Sequence, residues 1–555
     1  MLNGRPLDAE AVETILAARG PDGRGVVCDE HGWFLHRRLS IIDPSDESAQ
    51  PFLGAPHGAT ALYNGELYNY RELRRELNDL RTNGDTEVFS RLLADSDVSS
   101  IRGMYAGVCS TVDEVHLTRD RFGIKPLYVA DIRGSITVAS QVRCFPKLTG
   151  CSNINPDAVA SVLRFGSVVG TTMFEDVAEF QPGSTATYRH GKKIAERRLP
   201  LPHGGELASA LRNSVRRHLV ADVPVAVLLS GGLDSAVVGK LAAEEGNEIT
   251  AVTLSPGGEV DESDRARRTA RHYGLNHVVK PVDLAGVGAV LDEFFDAMDQ
   301  PSIDGLNTFL VSRALRDSGF KVALSGLGAD ELFGGYSSFR RVHATHAVRW
   351  LPRSVLSTVV GRSGGNPTKR DRWLDARRSL AELAAITREV FAPEEVDRLC
   401  GSSFEPEPVE TGIDDAVIDS EVRRYMTPML LRDADAFSMA ASVELRVPFL
   451  DDEVVGAAIK RSSWSRAVRG KSAIAASLRD DYLRTVSREH KTGFRLPFDD
   501  WLKGDLRVRL DQALESGSPL SQFVDVAEAR ALTEQGPWSR RWVLVVVNEW
   551  ISRHV

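Results

Sequence analysis

The six residues Ser230-Gly231-Gly232-Leu233-Asp234-Ser235 combine the groups needed to hold a phosphate chain. Gly231 and Gly232 permit a tight turn with no Cβ between backbone and ligand. A turn of this kind delivers N–H groups at a helix N-terminus, where free donors and the helix dipole attract anions. Ser230 and Ser235 add hydroxyl donors. Asp234 is the kind of carboxylate that holds a magnesium ion bridging phosphates. A bare Ser-Gly-Gly would be an ordinary strand-to-helix turn. The full six, set between the apolar run Val223–Leu229 and the helical pattern Ala236–Glu245, are far more specific. The Gly-Lys-Ser/Thr ending of the Walker loop is missing. A second cluster, from Leu324-Ser325-Gly326-Leu327-Gly328 through Ala329-Asp330-Glu331 to Gly334-Gly335-Tyr336, again sets small residues before an acidic pair. Asp330 is the candidate second metal ligand. It would face Asp234 across the carboxyl ends of the strands, where open α/β sheets bind ligands. Alone, an acidic first helix turn is equally well explained by the helix dipole; beside the first loop, the ligand reading is favoured.

Such loops need a sheet to carry them. Apolar runs at Val223–Leu229, Ile249–Leu254, His277–Val282 and Lys321–Leu324 alternate with helical patterns, one of which, Leu207–Val220, has apolar residues at 207, 211, 215 and 219. This alternation predicts βαβ units and a parallel sheet. The first 200 residues read differently. Short runs such as Gly32–Leu35, Ala61–Tyr63, Val115–Leu117 and Ile136–Ala139 are punctuated by Asn3-Gly4, Asp22-Gly23, Asn64-Gly65 and Asn83-Gly84. They predict a largely antiparallel β region with helices at Leu67–Leu77 and Asp85–Leu93. The Pro- and Gly-rich stretch Arg197–Gly205 reads as a linker, which gives two domains, 1–196 and 205–555. Beyond about residue 340 the pattern is mainly helical and ends in the apolar run Trp542–Ile551, with a loop at Ser363-Gly364-Gly365.

Bulk properties narrow the class. At 555 residues the chain exceeds one ordinary core, and 42% hydrophobic with 26% charged residues is soluble globular usage. A net charge of −9 argues against a nucleic-acid surface but leaves room for a local nucleotide pocket. Five scattered cysteines with no C-x-x-C pair exclude a disulfide framework and a zinc site and fit a reducing cytoplasm. No apolar run reaches the roughly 18 residues of a membrane span, and no apolar core follows the opening residues as in a signal peptide.

The spacing of the first loop is similar to the pyrophosphate loop of enzymes that cleave ATP between its α and β phosphates. The chain as a whole resembles the asparagine synthetase (glutamine-hydrolysing) family. The resemblance rests on Ser230–Ser235, Ser325–Tyr336, Leu431–Ala440, Glu444–Asp451 and Lys491–Pro497. It implies a PP-loop ATP pyrophosphatase domain with added helices. There ATP adenylates a carboxylate (aspartate or a related acid) and ammonia from glutamine or solution attacks the acyl-adenylate, leaving AMP and pyrophosphate. By the same resemblance, Ser230, Gly231, Gly232, Asp234 and Ser235 hold the pyrophosphate end, and Asp234 and Asp330 share magnesium. Leu229, Leu254, Ser325 and Gly326 line the adenosine site. Lys471, which alone would be a solvated lysine, opposes the charge developing on phosphorus oxygens. The implied partners are small molecules, and the assembly left open is a homodimer.

The N-terminal part resembles the family's glutaminase domain, an αββα sandwich, through Arg19–Gly23, Arg38–Asp43, Asn64–Asn69, Gly84–Glu87 and Arg119–Tyr128. The resemblance makes Arg38, Asn64, Gly65, Glu66 and Asp85 the glutamine-binding set. Arg38 suits the α-carboxylate, Glu66 and Asp85 the α-ammonium, and Asn64 with the Gly65 N–H an oxyanion. Two departures stand out. The family opens Met-Cys-Gly-Ile, with the cysteine first in the mature chain and its free amine as base. This sequence opens Met1-Leu2-Asn3-Gly4-Arg5-Pro6, similar to the stretch just after the family's first strand, so a segment on the order of ten residues is expected to be missing. Cys28 is internal and has no terminal amine. The polypeptide as given is expected not to hydrolyse glutamine. Either an upstream start carries the cysteine, which the retained pocket residues favour, or the enzyme uses free ammonia or a substrate amine. The second departure is Leu327, where aspartate-specific members carry an acidic residue. It opens an alternative: an amide-forming ligase or cyclase of a natural-product or polysaccharide pathway with an inactive glutaminase.

Overall fold

The computed structural model describes residues 6–132, 134–246, 248–257, 261–282, 287–360, 367–401, 404–406, 411–489, 496–534 and 536–555. Asn3-Gly4, the Ser363-Gly364-Gly365 loop and Lys491–Arg495 lie outside them. The N-terminal part holds a hairpin of β1 (Gly23–Asp29) and β2 (Gly32–Arg38). It also holds an antiparallel six-stranded sheet made of β3 (Phe52–Ala55), β4 (Ala59–Leu67), β5 (Gly103–Ser110), β6 (Glu114–Arg119), β10 (Ser184–Arg189) and β11 (Lys192–Arg198), in the order β11-β10-β6-β5-β4-β3. A three-stranded sheet, β8-β7-β9, comes from β7 (Tyr128–Ile132), β8 (Ser135–Ala139) and β9 (Ala178–Glu179). Ala106, Val108 and Leu117 of the larger sheet pack against Leu127, Val129 and Val138 of the smaller. The helix Asp85–Ala94 covers the other face of the larger sheet through Val88, Phe89 and Leu93, and Pro156–Phe165 lies outside the smaller one. The layers are therefore αββα, as the family resemblance implies.

The predicted helix Leu67–Leu77 is cut to one turn, Tyr70–Leu73. Leu67 instead ends β4, paired with Gly103 of β5 and fully buried, and the Asn69 side chain ties the next residues to the Arg102 N–H at 2.9 Å. Tertiary pairing overrides helical spacing here. The linker also begins later than its composition predicts, because Arg197 and Arg198 belong to β11.

The second part is a five-stranded parallel sheet, β14-β13-β12-β15-β16. Its strands are β12 (Val225–Leu228), β13 (Thr250–Ser255), β14 (Asn276–Pro281), β15 (Val322–Leu324) and β16 (Glu444–Arg446). The first four match the predicted runs, and β16 has no sequence counterpart because its three residues include two charges. The first strand, β12, lies between β13 and β15, so the chain changes direction around it, and such a switch point opens a crevice at the carboxyl ends of the strands. Helix Leu233–Glu244 packs Ala236, Val237 and Leu241 into the core beneath that crevice. Farther on, Val422–Leu431 winds as a π-helix, whose wider turn accommodates Pro428, and runs into Arg432–Ala440. The last helix, Trp538–His554, buries Trp542 and Trp550 completely. No helix among the described residues is long and apolar enough to cross a membrane.

Candidate active site

The loop after β12 is organised by its own side chains. The Ser230 N–H donates to Ser235 Oγ at 3.0 Å, the Gly232 N–H donates to Ser230 Oγ at 3.1 Å, and the two hydroxyls lie 3.0 Å apart. The serines thus brace the turn from within. Glu262, which the sequence reading did not single out, accepts the Gly231 N–H at 3.3 Å. Asp234 occupies the first turn of the following helix. The loop after β15 closes against it: a Cβ on Gly326 would stand 2.8 Å from Asp234 Cβ, an approach only glycine permits. Gly328, at φ 92°, then starts the short helix that carries Asp330.

The structure brings Asp234, Asp330 and Lys471 to one point. Lys471 Nζ lies 2.6 Å from Asp234 Oδ2 and 2.6 Å from Asp330 Oδ1. Burial pulls the lysine pKa down and the two aspartates more than reverse it, so it stands above the ordinary lysine value. Two converging carboxylates with an ammonium standing in for a cation suit a magnesium ion that takes its remaining oxygens from phosphates. No larger group of metal-ligating side chains occurs among the described residues. Leu229 and Leu254 sit at the ends of adjacent strands, with Leu229 bonded to the Val252 carbonyl at 3.0 Å. Beside Asp330, Glu331 is buried and accepts a hydrogen bond from Tyr336 Oη. Burial, and then the Asp330 charge, push its pKa up to about 7. Leu327 packs against the apolar core.

The second predicted set lines a separate cavity of about 130 Å³ that contains Arg38, Asn64, Gly65, Glu66 and Asp85 together with Arg19 and, from the C-terminal part, Met439 and Glu444. Its polar groups are less free than their types imply. Arg38 donates to the Ser45 carbonyl at 2.6 Å and to those of Ile42 and Asp43. Asp85 accepts from Tyr63 Oη at 3.0 Å and the Leu67 N–H at 3.1 Å, and burial pushes its pKa up to about 6. Gly65, at φ 147°, passes so close to β5 that a Cβ would meet the Met104 oxygen at 2.1 Å. The Asn64 amide nitrogen is buried and has no hydrogen-bond partner. None of the five cysteines lines this cavity. Burial raises the Cys109 and Cys144 thiols to about 12, whereas Cys28 is exposed.

Glu66 is held by a group the sequence reading did not assign. Its Oε2 lies 2.9 Å from Arg446 Nη2, and Arg446 Nε lies 2.9 Å from Glu444 Oε1. The chain of ions continues from Glu444 to Lys125 (3.7 Å), Asp435 (3.3 Å) and Arg19 (2.7 Å). All six side chains are at most 6% exposed. Arg446 also ends β16, and its carbonyl accepts the Ser325 N–H at 2.8 Å, which ties the cavity to the second nucleotide loop. The only sequence signal was that these residues fall inside the family-like stretches.

Comparison with known proteins agrees. A family model described as asparagine synthase matches residues 206–552, and one described as a glutamine amidotransferase domain matches residues 4–198. A protein of Mycobacterium bovis named putative asparagine synthetase [glutamine-hydrolyzing] is 29% identical, over 98% of this chain and 94% of its own length. Asparagine synthetase [glutamine-hydrolyzing] 1 of Bacillus subtilis is 28% identical over 89% of this chain and 84% of its own. A fungal protein of Gibberella zeae named amidase chry2 is 29% identical over 80% of this chain and 77% of its own.

Proposed function

The chain belongs to the asparagine synthase family, and from that premise we propose that it activates a carboxylate as its acyl-adenylate and converts it to an amide, releasing AMP and pyrophosphate. The observation that carries this reading is the single lysine nitrogen set between Asp234 and Asp330 at the mouth of the β12 loop. In it, the Gly231 and Gly232 N–H groups exchange Glu262 and Ser230 Oγ for phosphate oxygens, and with the dipole of helix Leu233–Glu244 they receive the pyrophosphate end. Asp234 and Asp330 would hold a magnesium ion, which would supply charge neutralisation for the pyrophosphate end. Leu229, Leu254, Ser325 and Gly326 border the adenosine. Lys471 donates to phosphate oxygens as charge builds on them. The cavity around Arg38, Asn64, Gly65, Glu66 and Asp85 takes glutamine, and the nitrogen is ammonia from glutamine or solution.

Leu327 carries no group able to accept a proton or bind an ammonium, so the residue at this position does not activate the attacking amine. That favours an acceptor acid other than aspartate. The test is carboxylate-dependent exchange of labelled pyrophosphate into ATP, run over amino acids, sugar acids and peptide carboxylates. Exchange with one of them, abolished by Asp234→Ala, is the expected result. Exchange with none, in protein that binds ATP, would sink the adenylation chemistry.

A further inference from the structure

Asp234 Oδ2 and Asp330 Oδ1, borne on loops after different strands, both lie 2.6 Å from Lys471 Nζ, and all three side chains are 11–15% exposed. A magnesium ion bound to carboxylate oxygens sits about 2.0–2.1 Å from each. A metal bonded to these two oxygens and an ammonium hydrogen-bonded to both would crowd two cations onto the same pair of acceptors, so the two compete for them. The lysine is set in place by its neighbours. It caps the helix Ser472–Leu478 directly after Gly470, whose φ of 51° and ψ of −145° suit glycine alone. Gly335 forms the wall beside it: a Cβ there would lie 2.9 Å from Lys471 Cε and 1.7 Å from Asp330 Oδ1.

Resting on the nucleotide reading given above, we propose that Lys471 is the resident counter-cation of the Asp234–Asp330 pair, closing the pair to free divalent metal and yielding it only when metal arrives with a triphosphate. The exchange conserves pairing: the metal takes the two carboxylates, and phosphate oxygens take the ammonium. A bare metal ion offers the lysine no anion to move to and would place a dication beside a displaced ammonium. Metal and nucleotide are thereby made to bind together, and the lysine reaches the phosphates in the same step that clears the metal site.

Mn²⁺ binding to the full chain, read by electron paramagnetic resonance, tests this without turnover. Without nucleotide, Lys471→Met is expected to bind Mn²⁺ about tenfold or more tightly than the wild type, because a competing buried charge has gone. Lys471→Arg, which keeps the charge, stays as closed as the wild type. Adding α,β-methylene-ATP raises Mn²⁺ affinity strongly in the wild type and little in Lys471→Met. Should Lys471→Met not fold, Lys471→Gln carries the same expectation. Equal Mn²⁺ affinity in the wild type and the folded neutral variant overturns the proposal. If Asp234→Asn binds Mn²⁺ with α,β-methylene-ATP as well as the wild type does, the nucleotide reading itself fails, whatever the lysine variants show.

Discussion

The nucleotide crevice and the glutamine cavity are built on opposite plans. In the crevice the acidic and phosphate-facing groups come from two short loops, the first braced by its own Ser230, Ser235 and Gly232, with Lys471 brought in from farther along the chain. The cavity draws its polar groups from the end of β2, from β4 and from the first turn of helix Asp85–Ala94, and its buried Glu66 is opposed by Arg446, some 380 residues later in the chain. A loop braced by its own side chains holds its hydroxyls in place over a short stretch of chain. A cavity balanced from a distance depends on the whole molecule for its charge state.

The largest expected effect tests the crevice. Asp234→Ala should lower pyrophosphate exchange by about 10³-fold or more, since the cation that would neutralise the departing pyrophosphate loses a ligand, while glutamine binding by calorimetry stays unchanged; equal loss at both sites would erase the contrast. Next, Arg446→Met should cost about 3–5 kcal/mol in urea unfolding, because Glu66, whose pKa burial already pushes well above the ordinary carboxylate value, and Glu444 both lose the guanidinium that opposes that burial. Adding Glu66→Gln to that variant should restore part of the loss, and no recovery would mean that Glu66 is not the group being balanced.

A pH series sharpens the same contrast. Burial raises Asp85 from 3.8 to about 6 in the folded protein. A raised folded pKa gives stability that is complete below the unfolded value and lost as pH climbs through about 6. Asp85→Asn should therefore gain on the wild type by about 2–3 kcal/mol between pH 4 and pH 8. A difference that does not vary with pH would place the Asp85 pKa near its ordinary value. The smallest effect is at Cys28, exposed on β1: Cys28→Ser should leave ammonia-dependent amide formation within about twofold of the wild type, as for most surface substitutions.

Legibility followed the same divide. The loops at 230–235 and 325–336 could be read because glycine, serine and aspartate at fixed offsets between a buried strand and a helix carry their own explanation. Lys471 could not be read so; it lies far along the chain from both aspartates, and only resemblance marked it. β16 was invisible because Glu444 and Arg446 look like surface residues until their partners Lys125 and Glu66 are supplied by the fold. The helix expected at Leu67–Leu77 failed for a related reason: helical spacing records nothing of the strand pairing that claims Leu67.

The buried ion chain has a consequence for how such a protein can be rearranged. Arg19 and Lys125 against Glu66 leave the N-terminal side with one positive surplus, and Asp435 and Glu444 against Arg446 leave the other side with one negative surplus. Within this chain of six ions neither side is neutral alone, and together the six cancel. The two parts are thus a matched set, and a hybrid that joined either one to a stranger would have to bring the complementary charges with it or bear an ion stranded in its seam.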